Sequence, residues 1–209
     1  PSIFDVDPNV KGSKPILRSV NEDNGLEFSW SIWLYVDDLD YKKGMFKHVF
    51  HKGNIDFSTN GGLNYPINAP GLYFTENDNN MVLIMNSYQN INERITIENI
   101  PMNKWYNIII RVEGNTVDVY MNGTIVNRRV LESVVRQNDE KVYISMNGGF
   151  SGYTSNLWYY DYALNASAIQ SLIKKGPSTN NDMLNEVSNF SSRWFFNNMD
   201  MNSIGFGGI

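Results

Sequence analysis

The stretch NKWYNIIIRVEGNTVDVYMNGTIVNRRV, Asn103–Val130, decides the fold. Three runs rich in apolar and β-branched residues, Trp105–Glu113, Thr116–Met121 and Thr124–Leu131, are separated by the pairs Gly114-Asn115 and Asn122-Gly123. A two-residue break between such runs is a hairpin, and Asn-Gly suits a type I′ turn because both central residues take φ > 0. Gly114-Asn115 is expected to turn for the same reason. In the middle run Val117, Val119 and Met121 share one face, while Thr116, Asp118 and Tyr120 share the other. One face is therefore expected to be buried and one wet, as antiparallel sheets allow.

Working outward, further strands are expected near Ile16–Val20, Leu26–Val36, Phe46–Lys52, Gly71–Thr75, Met81–Ser87, Glu93–Ile97, Val142–Met146 and Gly152–Tyr162. Many short strands bounded by Gly, Asn, Asp and Pro point to a two-sheet sandwich. One helix is predicted. Asn165 is its N-cap, ASAIQSLIKK follows with Ile169, Leu172 and Ile173 on one stripe, and Gly176-Pro177 stops it. The expected organisation is an N-terminal extension over 1–14, a sandwich over 15–177 and a tail over 178–209. The tail's Trp194, Phe195 and Phe196 are expected to pack back on the sandwich or on a neighbouring subunit.

The 209 residues are 42% hydrophobic, enough for one sizeable core. A net charge of -5 opposes a nucleic-acid partner, which requires a basic face. There is no cysteine, which excludes disulfides, thiolate metal sites and cysteine nucleophiles. No segment reaches the ~20 apolar residues of a membrane span. Pro1 is not an initiator residue, so a leader or anchor upstream is compatible with the chain; an extracellular, surface or virion setting fits better than a cytoplasmic enzyme.

Three blocks resemble the laminin-G-like domains of the concanavalin A-like lectin and glucanase superfamily. FSWSIWLYVDD, Phe28–Asp38, is similar to the family's early strand. NKWYNIIIRVEGNTVDVYMNG resembles its central Trp, apolar strand, Gly turn and Tyr-x-Asn-Gly. GYTSNLWYYDYALNASAIQSLIKKGP resembles its closing strand, Ala-Leu corner and helix. The resemblance runs from about Leu17 to Gly176 and implies an antiparallel jelly-roll β-sandwich, with Trp30, Trp33 and Trp105 in the core. It also implies acids where Ser155, Asn156, Ser167 and Ala168 stand, so the calcium arrangement of relatives is not reproduced there.

Catalysis is not expected. Glycoside hydrolases of related folds set carboxylates close together on one strand, as in Glu-x-Asp-x-x-Glu, and no such strand appears. His48 and His51, at odd spacing on a strand, are expected to point to opposite faces and so to share no metal. Asp37, Asp38 and Asp40 terminate a strand and are the candidate oxygen ligands for a calcium ion, with the Glu76–Asn80 loop as a further source. Tyr153, Trp158, Tyr160 and Tyr162 crowd the closing strand. Trp158 occupies a place where the resemblance implies a polar, outward residue, and an exposed indole beside tyrosines stacks on a sugar or anchors a partner.

The expected function is a non-catalytic, lectin-like module that binds a glycan or a protein surface through its rim. The alternatives are a structural component of an assembly such as a viral capsid or surface layer, with neighbouring subunits as partners, and, last, a glycoside hydrolase.

Overall fold

The computed structural model describes residues 2–4, 13, 16, 25–58 and 60–178. Among them eleven strands form two antiparallel sheets, a jelly-roll β-sandwich. The first sheet runs β1 (Ser2–Phe4), β10 (Val142–Ile144), β3 (Lys47–Lys52), β4 (Gly71–Phe74), β5 (Met81–Met85), β6 (Glu93–Ile97). The second runs β11 (Ser151–Tyr160), β2 (Glu27–Asp38), β7 (Trp105–Glu113), β8 (Thr116–Met121), β9 (Thr124–Val130). The helix α1, Ala166–Lys175, follows β11. No helix among the described residues is long and apolar enough to cross a membrane.

The decisive stretch folds as read. Asn122 and Gly123 take φ of 51° and 80°, the two positive values that the β8–β9 turn requires. The β7–β8 turn differs, because only Gly114 has positive φ, at 60°. Its register still pairs Glu113 with Thr116 and Arg111 with Asp118. Of the strand expected over Ile16–Val20 only Ile16 is described, and it packs against the core. Residues 2–4 of the expected N-terminal extension pair with β10. Trp194, Phe195 and Phe196 lie outside the described residues.

Between the sheets lie the inward faces of both, with Phe28, Trp30, Ile32, Leu34 and Val36 of β2 at the centre. Trp30 is 1% exposed, its ring 4.9 Å from Tyr159 and 5.4 Å from Phe50. Trp33 is buried as expected, at 8% exposed, but lies outside this central cluster, and Trp105 is only half-buried. Trp33 is an odd number of residues from Trp30 and so points to the other face of β2; Trp105 likewise yields the core to Tyr106.

Each sheet also has a covered outer face. On the first, Tyr73, Val82 and Ile84 pack under Leu63 and Phe57 of the segment joining β3 to β4. Asparagines hold that segment: Asn64 Nδ2 donates to the Ile67 carbonyl (2.8 Å) and Asn68 Nδ2 to that of Asn64 (2.8 Å). On the second, Ile169 of α1 packs with Ile109, Tyr160 and Leu164. The outward face of β8 is thus not simply wet, because Tyr120 packs against the helix cluster and Asp118 is 1% exposed.

A bulge explains the one reversal in β3. A register shift between His48 and Phe50 sets two residues of β3 against one of β4, so Val49 and Phe50 both point into the core. His48 and His51 therefore emerge on the same side rather than on opposite faces, with His48 Nε2 2.7 Å from His51 Nδ1. Both rings are buried.

Candidate functional site

Among the described residues, the outer face of the second sheet carries two regions that nothing covers, separated by the helix. Regular antiparallel pairing builds the first. Tyr153 of β11 stands opposite Tyr35 of β2, and Tyr35 stands opposite Trp105 of β7. The three rings form a row, with centroids 5.9 Å apart for Tyr153–Tyr35 and 5.8 Å for Tyr35–Trp105. Tyr153 is 52% exposed, and Tyr35 and Trp105 are half-buried. Two residues beyond Tyr35, the same face of β2 presents the exposed Asp37.

The other predicted aromatics do not extend this row. A register shift between Ser155 and Trp158 bends β11 as it passes the helix. Trp158 is outward yet half-buried against the α1 cluster, so the helix supplies a cover for it. Tyr160 is 7% exposed and offers no ring face to a ligand, which corrects its place among the expected binding residues. Tyr162 is exposed, its ring 5.8 Å from Tyr160.

The acidic trio does not fit a calcium cage. Asp38 Oδ1 accepts from the Asp40 N–H (2.8 Å), closing a local turn, and Asp40 Oδ1 pairs with Lys43 Nζ at 3.0 Å. Asp37 follows the strand alternation away from Asp38. Among the described residues no three His, Cys, Asp or Glu side chains are grouped so as to hold a metal ion.

The second region was missed in the sequence. A cleft of about 680 Å³ lies over β7, β8 and β9, with Arg111, Asp118 and Arg128 among the residues lining it and Ser133 and Val134 on another wall. Asp118 is the centre of its charge network. Arg128 grips both carboxylate oxygens, Nε to Oδ1 at 2.6 Å and Nη2 to Oδ2 at 2.8 Å, while Arg111 Nη1 approaches Oδ2 at 3.4 Å. Arg111 is otherwise committed, donating through Nη2 to Glu113 (2.7 Å) and through Nε to the Leu164 carbonyl (3.0 Å). Both oxygens of this carboxylate are taken by guanidinium groups, so neither is left free to attack a substrate.

The signal for this cleft was partly present. A two-residue turn at Gly114-Asn115 dictates that Arg111 faces Asp118. The same count from Asn122-Gly123 puts Asn127 opposite Asp118, but a bulge between Val119 and Tyr120 brings Arg128 there instead.

The fold has known counterparts. A family model described as concanavalin A-like lectin/glucanases superfamily, of laminin-G type, matches residues 12–170. No curated protein matches the chain. Similar solved structures include the botulinum neurotoxin type G receptor binding domain, with TM-score 0.52 at 13% identity over 73% of this chain and 38% of that one. Another is the binding domain of botulinum neurotoxin DC in complex with rat synaptotagmin II (0.52, 12%, 72% and 36%). The same domain in complex with SialylT gives 0.53 at 11% identity, over 74% and 37%. This chain thus spans well under half the length of these neurotoxin domains, and at such identity the likeness is one of fold. With residues 12–170 matched and both sheets in place, the chain belongs to the concanavalin A-like lectin/glucanase superfamily, as a laminin-G-like domain.

Proposed function

We propose that this domain is a non-catalytic binding module that recognises a glycan at the aromatic row of its second sheet. The observation that carries the reading is the Tyr153–Tyr35–Trp105 row, a ring on each of three neighbouring strands with the outermost 52% exposed. The apolar C–H face of a pyranose stacks on such rings, and a nearby carboxylate such as Asp37 accepts from its hydroxyls. Strands rather than loops position the rings, so little ordering entropy is lost on binding. The neurotoxin DC binding domain of like fold, solved in complex with rat synaptotagmin II and in complex with SialylT, is consistent with a binding role.

A glycan array probed with the wild-type chain and with Trp105→Ala and Tyr153→Ala tests this. Binding to neutral glycans that falls at least tenfold in both variants is expected. An array without a bound glycan, or binding indifferent to both substitutions, overturns it.

A second reading, contact with a protein partner or with neighbouring subunits of an assembly, is favoured by β9. Among the described residues β9 is an edge strand that exposes Ile125, Val126 and Val130, and a sheet edge is a template for another chain. Concentration-dependent association abolished by Val126→Lys is its signature.

A further inference from the structure

We propose that the cleft over β7, β8 and β9 is a second binding site, for an oxyanion, with Arg128 as its recognition residue. The argument rests on which parts of the charge network are already used. A guanidinium has two edges that can each take a pair of oxygens. Asp118 occupies the Nε/Nη2 edge of Arg128 at 2.6 and 2.8 Å. Among the described residues nothing takes the Nη1/Nη2 edge, which is left for a ligand, and its orientation is set in advance because the clamp immobilises the plane.

Exposure decides the sign of the group that approaches. Side-chain exposure falls from 62% for Arg128 through 35% for Glu113 and 19% for Arg111 to 1% for Asp118. The outermost charge is thus a cation. Glu113, the outermost anion, is neutralised by Arg111 at 2.7 Å. Asp118 is buried and held by Arg128 and Arg111 together, so although the two arginines and two carboxylates sum to zero, the charge that meets the solvent is that of Arg128. Thr116 and Ser133 add hydroxyl groups to the walls, and a cleft of about 680 Å³ accommodates a sugar-sized molecule. The matching ligand carries a carboxylate, sulfate or phosphate group, whose paired oxygens fit the free guanidinium edge.

This site lies on the far side of α1 from the aromatic row, so the two stand or fall separately. The test is an NMR titration of the full chain with glucuronate, inorganic sulfate, inorganic phosphate and glucose. At least one anion is expected to bind saturably, shifting the Arg128 Nε and the Thr116 and Ser133 amide signals, while glucose leaves them unmoved; the anion that does so identifies the source. Arg128→Ala and Arg128→Lys are each expected to weaken that binding at least tenfold, whereas Arg129→Ala on the same strand and Tyr153→Ala leave it within twofold. The proposal is overturned by absence of saturable shifts with all three anions, by equal shifts with glucose, or by an Arg128→Lys protein that binds as the wild type does.

Discussion

His48 Nε2 and His51 Nδ1 face each other at 2.7 Å, and their other partners determine which nitrogen carries each proton. The Met146 N–H donates to His48 Nδ1 (2.9 Å), so His48 bears its proton on Nε2 and donates to His51 Nδ1. His51 then donates from Nε2 to the Asn54 carbonyl at 2.7 Å. The chain of bonds is complete only with both rings neutral. Burial holds His48 well below the usual histidine range and lowers His51 to about 4.

Acid should therefore loosen this domain in a defined window. Above about pH 6.5 both rings are neutral whether the chain is folded or not, and stability is flat. Below that, the unfolded chain takes up protons that the fold refuses, so stability falls as pH drops from about 6.5 to about 4. His51 alone accounts for about 3 kcal/mol across that interval. Urea midpoints measured from pH 7.5 to 4 should track this fall, and the double variant H48Q/H51Q should flatten it. An unchanged slope in that variant would assign the acid sensitivity to carboxylates instead.

Much of the framework was legible because it rests on local rules. Period-two alternation located β6, β7 and β8 to the residue, and Asn165 and Gly176 bounded α1 as capping chemistry requires. The misreadings have a common physical cause. Bulges in β3, between β8 and β9, and in β11 each insert a residue without a compositional mark, and they set the positions of His51, Arg128 and Trp158. Trp33 was different, since its odd distance from Trp30 already announced the opposite face. The docking of α1 over Trp158 is a tertiary choice that no local pattern encodes.

Asp118 should be among the costliest side chains to remove. It is 1% exposed and is held by two arginines, so Asp118→Ala leaves Arg111 partly buried with one counter-charge fewer. Breaking such a buried pair costs about 3 kcal/mol. Arg128→Ala should cost less than half as much, because Arg128 is largely exposed and Asp118 keeps Arg111. Chemical denaturation of the two variants checks the order; equal losses would mean that Asp118 does not organise the network.

Gly152 is a steric requirement of the aromatic row. A Cβ there would lie 2.0 Å from the Tyr35 carbonyl oxygen, with φ at +143°. Gly152→Ala must push β11 away from β2, and a loss of 2 kcal/mol or more is expected, on the order of other steric and backbone-strain substitutions. Gly44 is the control. It also has positive φ, at +83°, but nothing lies within 4 Å of its Cβ, so Gly44→Ala should cost only the backbone term of about 1 kcal/mol. Thermal melts of the pair separate collision from conformation.

Asn165 governs how firmly α1 covers Trp158. Its Oδ1 accepts from the Ala168 N–H at 2.9 Å, and the first turn of the helix holds no acidic residue to assist. Asn165→Ala should destabilise the helix by about 1 kcal/mol, whereas Asn165→Asp, an equally good cap with a charge favourable to the helix N-terminus, should match or exceed the wild type. Because Ile169 and its neighbours on the stripe are what pack near Trp158, fraying exposes the indole before the sandwich opens. Tryptophan emission should therefore shift to the red at lower urea than the loss of β-sheet circular dichroism in Asn165→Ala, and the two transitions should coincide in Asn165→Asp. Coincident transitions in both proteins would show that α1 and the sandwich unfold as one unit, with the cap adding nothing to the cover over Trp158.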